Sequence, residues 1–169
     1  DHIAMVQHTD GPGGINKNGH GEVFDADGNP RMSKTFVDWL KDDPRLPILA
    51  ARRSDKSTAI ADLIGMPNGS TGATVPDTSI YAEPNRNVIT GRDAPMVFQT
   101  YAEVRLLKAE MAFRGWSVPG DAKTHYEAGV KAAMQMLSQL YTNAAAISDA
   151  QVATYLAAKP YDAAKGWEM

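Results

Sequence analysis

Apolar residues recur at helical spacing in the second half of the chain and lose that spacing in the first. Between Pro95 and Leu140 two periodic segments flank the break Gly115-Trp116-Ser117-Val118-Pro119-Gly120, which predicts a helical hairpin. Thr100-Tyr101-Ala102-Glu103 has the form of a capping box, the Thr hydroxyl accepting from the Glu backbone and the Glu carboxylate reaching back to the cap. On a helical wheel Ala102, Leu106, Ala109 and Phe113 share one face, and Val104, Leu107 and Met111 fall nearly opposite. Glu103 and Glu110 occupy one edge between them, Tyr101, Arg105 and Lys108 the other. A helix with two apolar faces belongs between layers, so Thr100–Arg114 is expected to be the most buried long element. The helix predicted over Asp121–Leu140 has a single broad stripe, including Tyr126, Gly129, Val130, Met134 and Leu137, and reads as an outer helix. Gly129, at a cost of about 1 kcal/mol in a helix interior, points to a close approach between the two.

After a linker over Tyr141–Ile147, Ser148-Asp149-Ala150-Gln151 is a second capping box; it opens a helix with Val152, Tyr155 and Leu156 inward that Pro160 stops. Tyr161–Met169 reads as the opening of one more helix. The first half is punctuated differently. Asp1–Pro30, rich in Gly, Asn, Asp and His, reads as loop. Ser33 caps a short helix to Lys41 with Phe36, Val37 and Leu40 inward, Trp39 packed or outward; Asp43-Pro44 ends it, and Arg45–Ala50 should run extended. From Asp55 to Ala94, Gly and Pro recur so often that only loops and short strands are expected. The fold class is mainly α, with a loop-rich, short-strand region before the hairpin. As domains, 1–169 reads as a single partial domain: a loop-rich 1–94 with a helix near 33–41, a hairpin over 95–140, and a further helix over 148–159.

Composition narrows the function classes. The 169 residues carry a formal charge of −3 without a Lys/Arg stripe, which gives no electrostatic reason for nucleic acid. The chain has no Cys, so neither a disulfide frame nor a thiolate metal site is available. No apolar run reaches the ~18 to 20 residues a membrane helix needs. The start at Asp1-His2-Ile3, without Met or signal peptide, suggests a piece of something longer.

Local candidates for chemistry are better explained by structure. His8, Asp10 and His20 include metal-ligand types, but scattered histidines in a glycine-rich loop are commoner as surface residues. Asp25-Ala26-Asp27-Gly28-Asn29 resembles the start of a calcium loop with Gly at the wrong position, and reads as a turn. Gly14-Ile15-Asn16-Lys17-Asn18-Gly19 lacks the Gly-Lys-Ser/Thr ending of a phosphate cradle. Neither cofactor nor metal is expected. For an enzyme the candidates are Glu103 and Glu110 as acid and base, or His125; capping claims Glu103, Arg114 is placed to pair with Glu110, and His125 borders the apolar stripe alone, so no catalytic residue is assigned. In the irregular segment Tyr81, Asn85, Arg86, Asn87, Arg92 and Asp93 bring an aromatic together with hydrogen-bonding groups, a mixture that suits sugar and equally suits the surface of a structural loop. Trp39 is a second stacking candidate; Trp116, in the hairpin turn, reads as a cover for the end of a core.

The stretch Pro95–Glu110 with Ala112 and Arg114-Gly115-Trp116 resembles the SusD/RagB-like family of bacterial outer-membrane nutrient-binding lipoproteins. Gly120-Asp121-Ala122, Tyr126–Val130, Asp43-Pro44-Arg45-Leu46 and the Gly65-Met66-Pro67-Asn68-Gly69 turn extend the likeness over about Ser33–Gln139. The resemblance implies a tetratricopeptide-like helical scaffold with an irregular glycan-binding face. It also implies a surface-exposed lipoprotein of the cell outer membrane that sits on a TonB-dependent, SusC-like transporter and delivers oligosaccharides or other nutrients without turning them over. Family members are several hundred residues long, so this chain would be a C-terminal-half fragment whose membrane contact, a lipid anchor, lies outside it. Ligand contacts are expected from Tyr81, Trp39, Asn85 and Arg86. The other reading is a helical-repeat protein-interaction scaffold without a small-molecule ligand.

Overall fold

In the computed structural model, which describes residues 2–11 and 16–168, the capping boxes and the hairpin break act where the sequence puts them. Elements run in the order β1 (Ala4–Val6), α1 (Gly19–Ala26), α2 (Lys34–Trp39), α3 (Leu46–Leu49), β2 (Ala50–Arg52), β3 (Ala82–Pro84), β4 (Met96–Gln99), α4 (Tyr101–Phe113), α5 (Ala122–Gln135), α6 (Leu137–Leu140) and α7 (Asp149–Ala158), with 3-10 turns at Ile60–Asp62 and Ala163–Glu168. The mainly helical class expected from periodicity holds. Strands appear only as the pairs β1–β4 and β2–β3, among the described residues. The chain divides into two compact units: Asp1–Val6 with Val97–Leu140 and Ala146–Met169, and Gln7–Met96 with Tyr141–Ala145.

The helical unit is built on α4 and α5. Thr100 Oγ1 accepts from the Glu103 amide at 3.1 Å, and Glu103 Oε2 accepts from the Thr100 amide at 2.6 Å, so two N-terminal donors are satisfied reciprocally. Gly115 (φ 76°) and Gly120 (φ 92°) supply the left-handed residues of the hairpin turn. His125, buried, closes this turn by donating from Nε2 to the Pro119 carbonyl at 2.7 Å. The helices approach closely at Gly129, where a β-carbon would stand 2.8 Å from Leu106 Cγ and 3.3 Å from the Leu106 amide nitrogen. Ser148 and Gln151 form the second capping box, and α7 is tied to α5 by Lys131 and Gln135, which reach Asp149 at 2.9 and 2.6 Å.

Four expectations for this unit are corrected. α4 is not the most buried element: only Ala102 and Ala109 are buried on it, whereas α5 buries His125, Gly129 and Met134. Leu107 is half-exposed and Leu106 and Phe113 partly so, because α5 covers one side of α4 while Phe98, Leu106 and Leu107 line an open groove with Glu103 and Glu110. Trp116 is 61 % exposed and covers no core; its amide closes the helix end on the Met111 carbonyl. The second helix breaks at Met136, α6 continuing to Leu140. The expected last helix forms a 3-10 turn at Ala163–Glu168, Met169 lying outside the described residues.

The other unit has a small core of Val37, Leu46, Ala50, Leu63 and Ala82, edged by Met32 and Leu40. Ser33 caps α2 through the Phe36 amide as expected, yet Phe36 is partly exposed: a helix this short buries one position fully, Val37. β2 and β3 pair antiparallel with Ala51 opposite Glu83. Gly65 lies against the start of α2 so closely that a β-carbon would come 2.4 Å from Lys34 Cα. Arg45–Ala50 is not extended throughout. Leu46–Leu49 makes one helical turn with Pro47 in its first positions, where a missing N–H is tolerated. Asp43, 1 % exposed, holds the entry by accepting from the Arg45 amide at 2.9 Å and from the Arg45 guanidinium at 2.6 Å. Nor is Asp1–Pro30 all loop. Asn18 caps α1 through His20 and Gly21 and is itself buried, its side chain donating to the Ala94 carbonyl at 2.8 Å. A helix of weak local propensity is thus held by a tertiary anchor.

Candidate functional site

In the irregular unit three cations, Arg53, Lys56 and Arg86, converge on one side chain, Glu83. On β3 Ala82 faces the hydrophobic core, so strand alternation puts Glu83, opposite Ala51, on the other face, where it is nonetheless 1 % exposed. A carboxylate so placed requires paired cations and hydrogen bonds. Arg53 Nη1 donates to Oε2 at 2.8 Å and Lys56 Nζ to Oε1 at 2.6 Å, while Arg86 Nε stands 3.4 Å from Oε1. Burial alone would push the Glu83 carboxyl up; the hydrogen bonds from Lys56 and Arg53 and the charges of Lys56 and Arg86 outweigh it, and hold it below the usual carboxylate range. Arg31 adds a fourth positive charge nearby. Its guanidinium is held by backbone, donating to the carbonyls of Thr78, Gly28 and Pro30 at 2.9 Å each. Burial and the neighbouring Arg53 push its own pKa down.

The segment that follows β3 places the sequence-predicted contacts. Tyr81, half-buried, precedes the strand, and its carbonyl accepts from the Arg53 amide at 3.2 Å. Asn85 is buried, with Oδ1 accepting from the Asn87 amide at 3.2 Å and its own amide donating to Leu49 at 2.9 Å. It thereby fixes the turn from which Arg86 returns to Glu83. Tyr81, Asn85 and Arg86 thus flank one charged cluster. Trp39 stands on another element, the outer side of α2, 86 % exposed.

The remaining candidates have partners of their own. Arg92 pairs with Glu22 and Asp25 at 3.1 and 2.7 Å, bracing α1. The calcium-like stretch is not the turn expected throughout: Asp25 and Ala26 end α1, and Asp27, its C-cap, accepts from the Asn29 amide. His8 donates from Nδ1 to the Asn16 carbonyl, Asp10 pairs with Lys17, and His20 lies exposed on α1. Gly14-Ile15 lies outside the described residues. Glu110 pairs with Arg114 at 2.7 Å, the i, i+4 partner the sequence suggested. Sequence reading missed the cluster's centre: Arg53 and Glu83 lie thirty positions apart, and no local pattern links them.

Comparison with known proteins gives the family. A family model for SusD-like proteins, described as starch-binding and associating with outer membrane, matches residues 4–168. Among solved structures, a chitin-binding protein superposes with a TM-score of 0.79 at 26% identity, over 97% of this chain and 37% of its own. A SusD-like protein from Bacteroides thetaiotaomicron is 29% identical, with a TM-score of 0.62 over 86% of this chain and 28% of its own. A SusD-like protein from Bacteroidetes, 23% identical with a TM-score of 0.72 over 95% and 44%, shares the fold. The chain spans less than half the length of each. No curated protein matches it. The chain belongs to the SusD-like family described as starch-binding and associating with the outer membrane.

Proposed function

We propose that this chain forms part of a non-catalytic protein that binds oligosaccharide, or another nutrient, at the outer-membrane surface and passes it to a TonB-dependent, SusC-like transporter. The family match over residues 4–168 carries this reading, and the chitin-binding protein among the relatives supports a glycan. The irregular unit supplies what sugar recognition requires, an aromatic beside fixed donors and acceptors. Tyr81 is the stacking contact, Arg86 a hydrogen-bonding one, and Asn85 sets the turn between them; Trp39 is a second platform on α2. Attachment by a lipid is part of the same reading. Among the described residues no helix is long and apolar enough to cross a membrane. Turnover has no support, since the carboxylates and histidine suited to it are engaged in a cap, a helix ion pair and a hairpin turn.

Calorimetry with soluble oligosaccharides tests this on the full-length protein. Tyr81→Ala is expected to weaken binding about tenfold with the melting temperature unchanged, a stacking ring being worth about 1 to 1.5 kcal/mol. Undiminished affinity removes Tyr81 as the contact, and release of reducing sugar removes the non-catalytic reading. A second reading, a protein-interaction face, is favoured by the open groove of Phe98, Leu106 and Leu107. Replacing Phe98 with Ser would then weaken transporter capture while sparing saccharide heat.

A further inference from the structure

The cluster around Glu83 holds more positive charge than its carboxylate needs. Arg53 and Lys56 satisfy the two oxygens with hydrogen bonds at 2.8 and 2.6 Å, which suffices for a structural brace. Arg86 and Arg31 are then surplus, and like charges gathered in a partly buried site disfavour one another. Arg31 is fixed by the carbonyls of Thr78, Gly28 and Pro30, and Asp27 lies close enough to offset part of its charge. Arg86 is different: its Nη2 is buried without a hydrogen-bond partner and its Nε, though ion-paired to Glu83 Oε1 at 3.4 Å, makes no hydrogen bond, while a quarter of its side chain is exposed. Guanidinium N–H groups left in that state cost free energy that an incoming acceptor would recover.

A second observation points the same way. Lys56 is the one non-glycine residue with positive φ, 63°, among the described residues, a conformation unfavourable by about 1 kcal/mol or more for an L side chain. It sets Nζ on Glu83 while the side chain stays half-exposed. Strained backbone, surplus cation and unused donors thus coincide beside Tyr81. We propose that the cluster is an anion subsite, in which Arg86 and Lys56 receive the carboxylate or sulfate of an acidic sugar whose ring lies on Tyr81, so that the ligand class is acidic oligosaccharide. This rests on the glycan-binding reading above and sharpens it.

The experiment is calorimetry and thermal melting of this chain, and of the full-length protein, at low and high salt. The probes are oligogalacturonate, a sulfated oligosaccharide, a neutral oligosaccharide of equal length, and inorganic sulfate. Acidic oligomers are expected to bind about tenfold more tightly than neutral ones, with the preference shrinking as salt rises. Arg86→Gln should remove that preference with at most a small fall in melting temperature from the lost ion pair to Glu83, and Lys56→Gln should reduce it. The two acidic probes show whether carboxylate or sulfate is preferred. Equal affinity for acidic and neutral oligomers, or a preference that survives Arg86→Gln, overturns the anion subsite and leaves the glycan reading standing. A lowered melting temperature in Arg86→Gln with binding unaltered makes Arg86 a brace only. Heat from sulfate that depends on Arg86, with none from any oligosaccharide on the full-length protein, keeps the anion subsite and overturns the glycan reading.

Discussion

The two units solve the same problem, holding a short chain in one shape, by different chemistry. The helical unit satisfies its backbone locally, and what remains is fit: a glycine admits Leu106, and small Ala102 and Ala109 let α4 lie against its neighbour. The irregular unit has little repeating backbone structure and closes itself through residues far apart in sequence, Asn18 on Ala94, Met32 on Ala82 and Arg53 on Glu83. Local order is robust and carries little specificity. Long-range polar order is costly to assemble, and it leaves surface loops with fixed donors, the material of a recognition face.

Four measurements sharpen or break that contrast. The largest effect is expected from Gly65→Ala, whose β-carbon would meet backbone at 2.4 and 2.5 Å, with no flexible side chain to yield. A loss of about 3 kcal/mol or more, read by urea melting, is expected; a variant of wild-type stability would show that the loop unit can shift its backbone freely. Next is Glu83→Gln, which leaves cations facing a neutral amide and should cost about 3 kcal/mol. Since the folded carboxyl lies below its ordinary value, its contribution is complete above the pKa of the unfolded chain and is lost as pH falls through the folded one. The acid side of the melting curve should therefore flatten in Glu83→Gln, and an unaltered pH profile would remove Glu83 as the centre of the unit.

In the helical unit the effects are smaller. Gly129→Ala, which helix propensity alone makes neutral or stabilising, is expected to destabilise by about 2 kcal/mol because Leu106 stands in the way. Adding Leu106→Ala should recover part of that loss in a double-mutant cycle, and strict additivity would mean the two do not meet. Thr100→Ala should cost about 1 kcal/mol, the ordinary worth of a cap, independent of salt. A larger, salt-dependent loss there would erase the distinction between the units.

Helix starts were legible because a cap is a local event: Thr100, Asp121 and Ser148 each meet an amide three residues on, and Asp43-Pro44-Arg45 is similarly self-contained. The candidate site was legible in part. An aromatic and polar residues at 81–86 stood out by composition, yet their arrangement depends on Glu83, whose partners come from 30 and 27 positions upstream. The α1 helix was unreadable for the same reason, since two glycines and a His give it little propensity and distant partners hold it, Asn18 on Ala94 and Arg92 on Glu22 and Asp25.

By itself, then, the sequence determined where helices begin, where the hairpin turns, and the likeness that names the family, because each rests on contacts within a few residues. Tertiary structure decided which face of α4 is covered, which way Trp116 and Trp39 face, and which carboxylate is buried among cations. Those outcomes depend on what lies opposite in space, and periodicity along one chain carries no information about it.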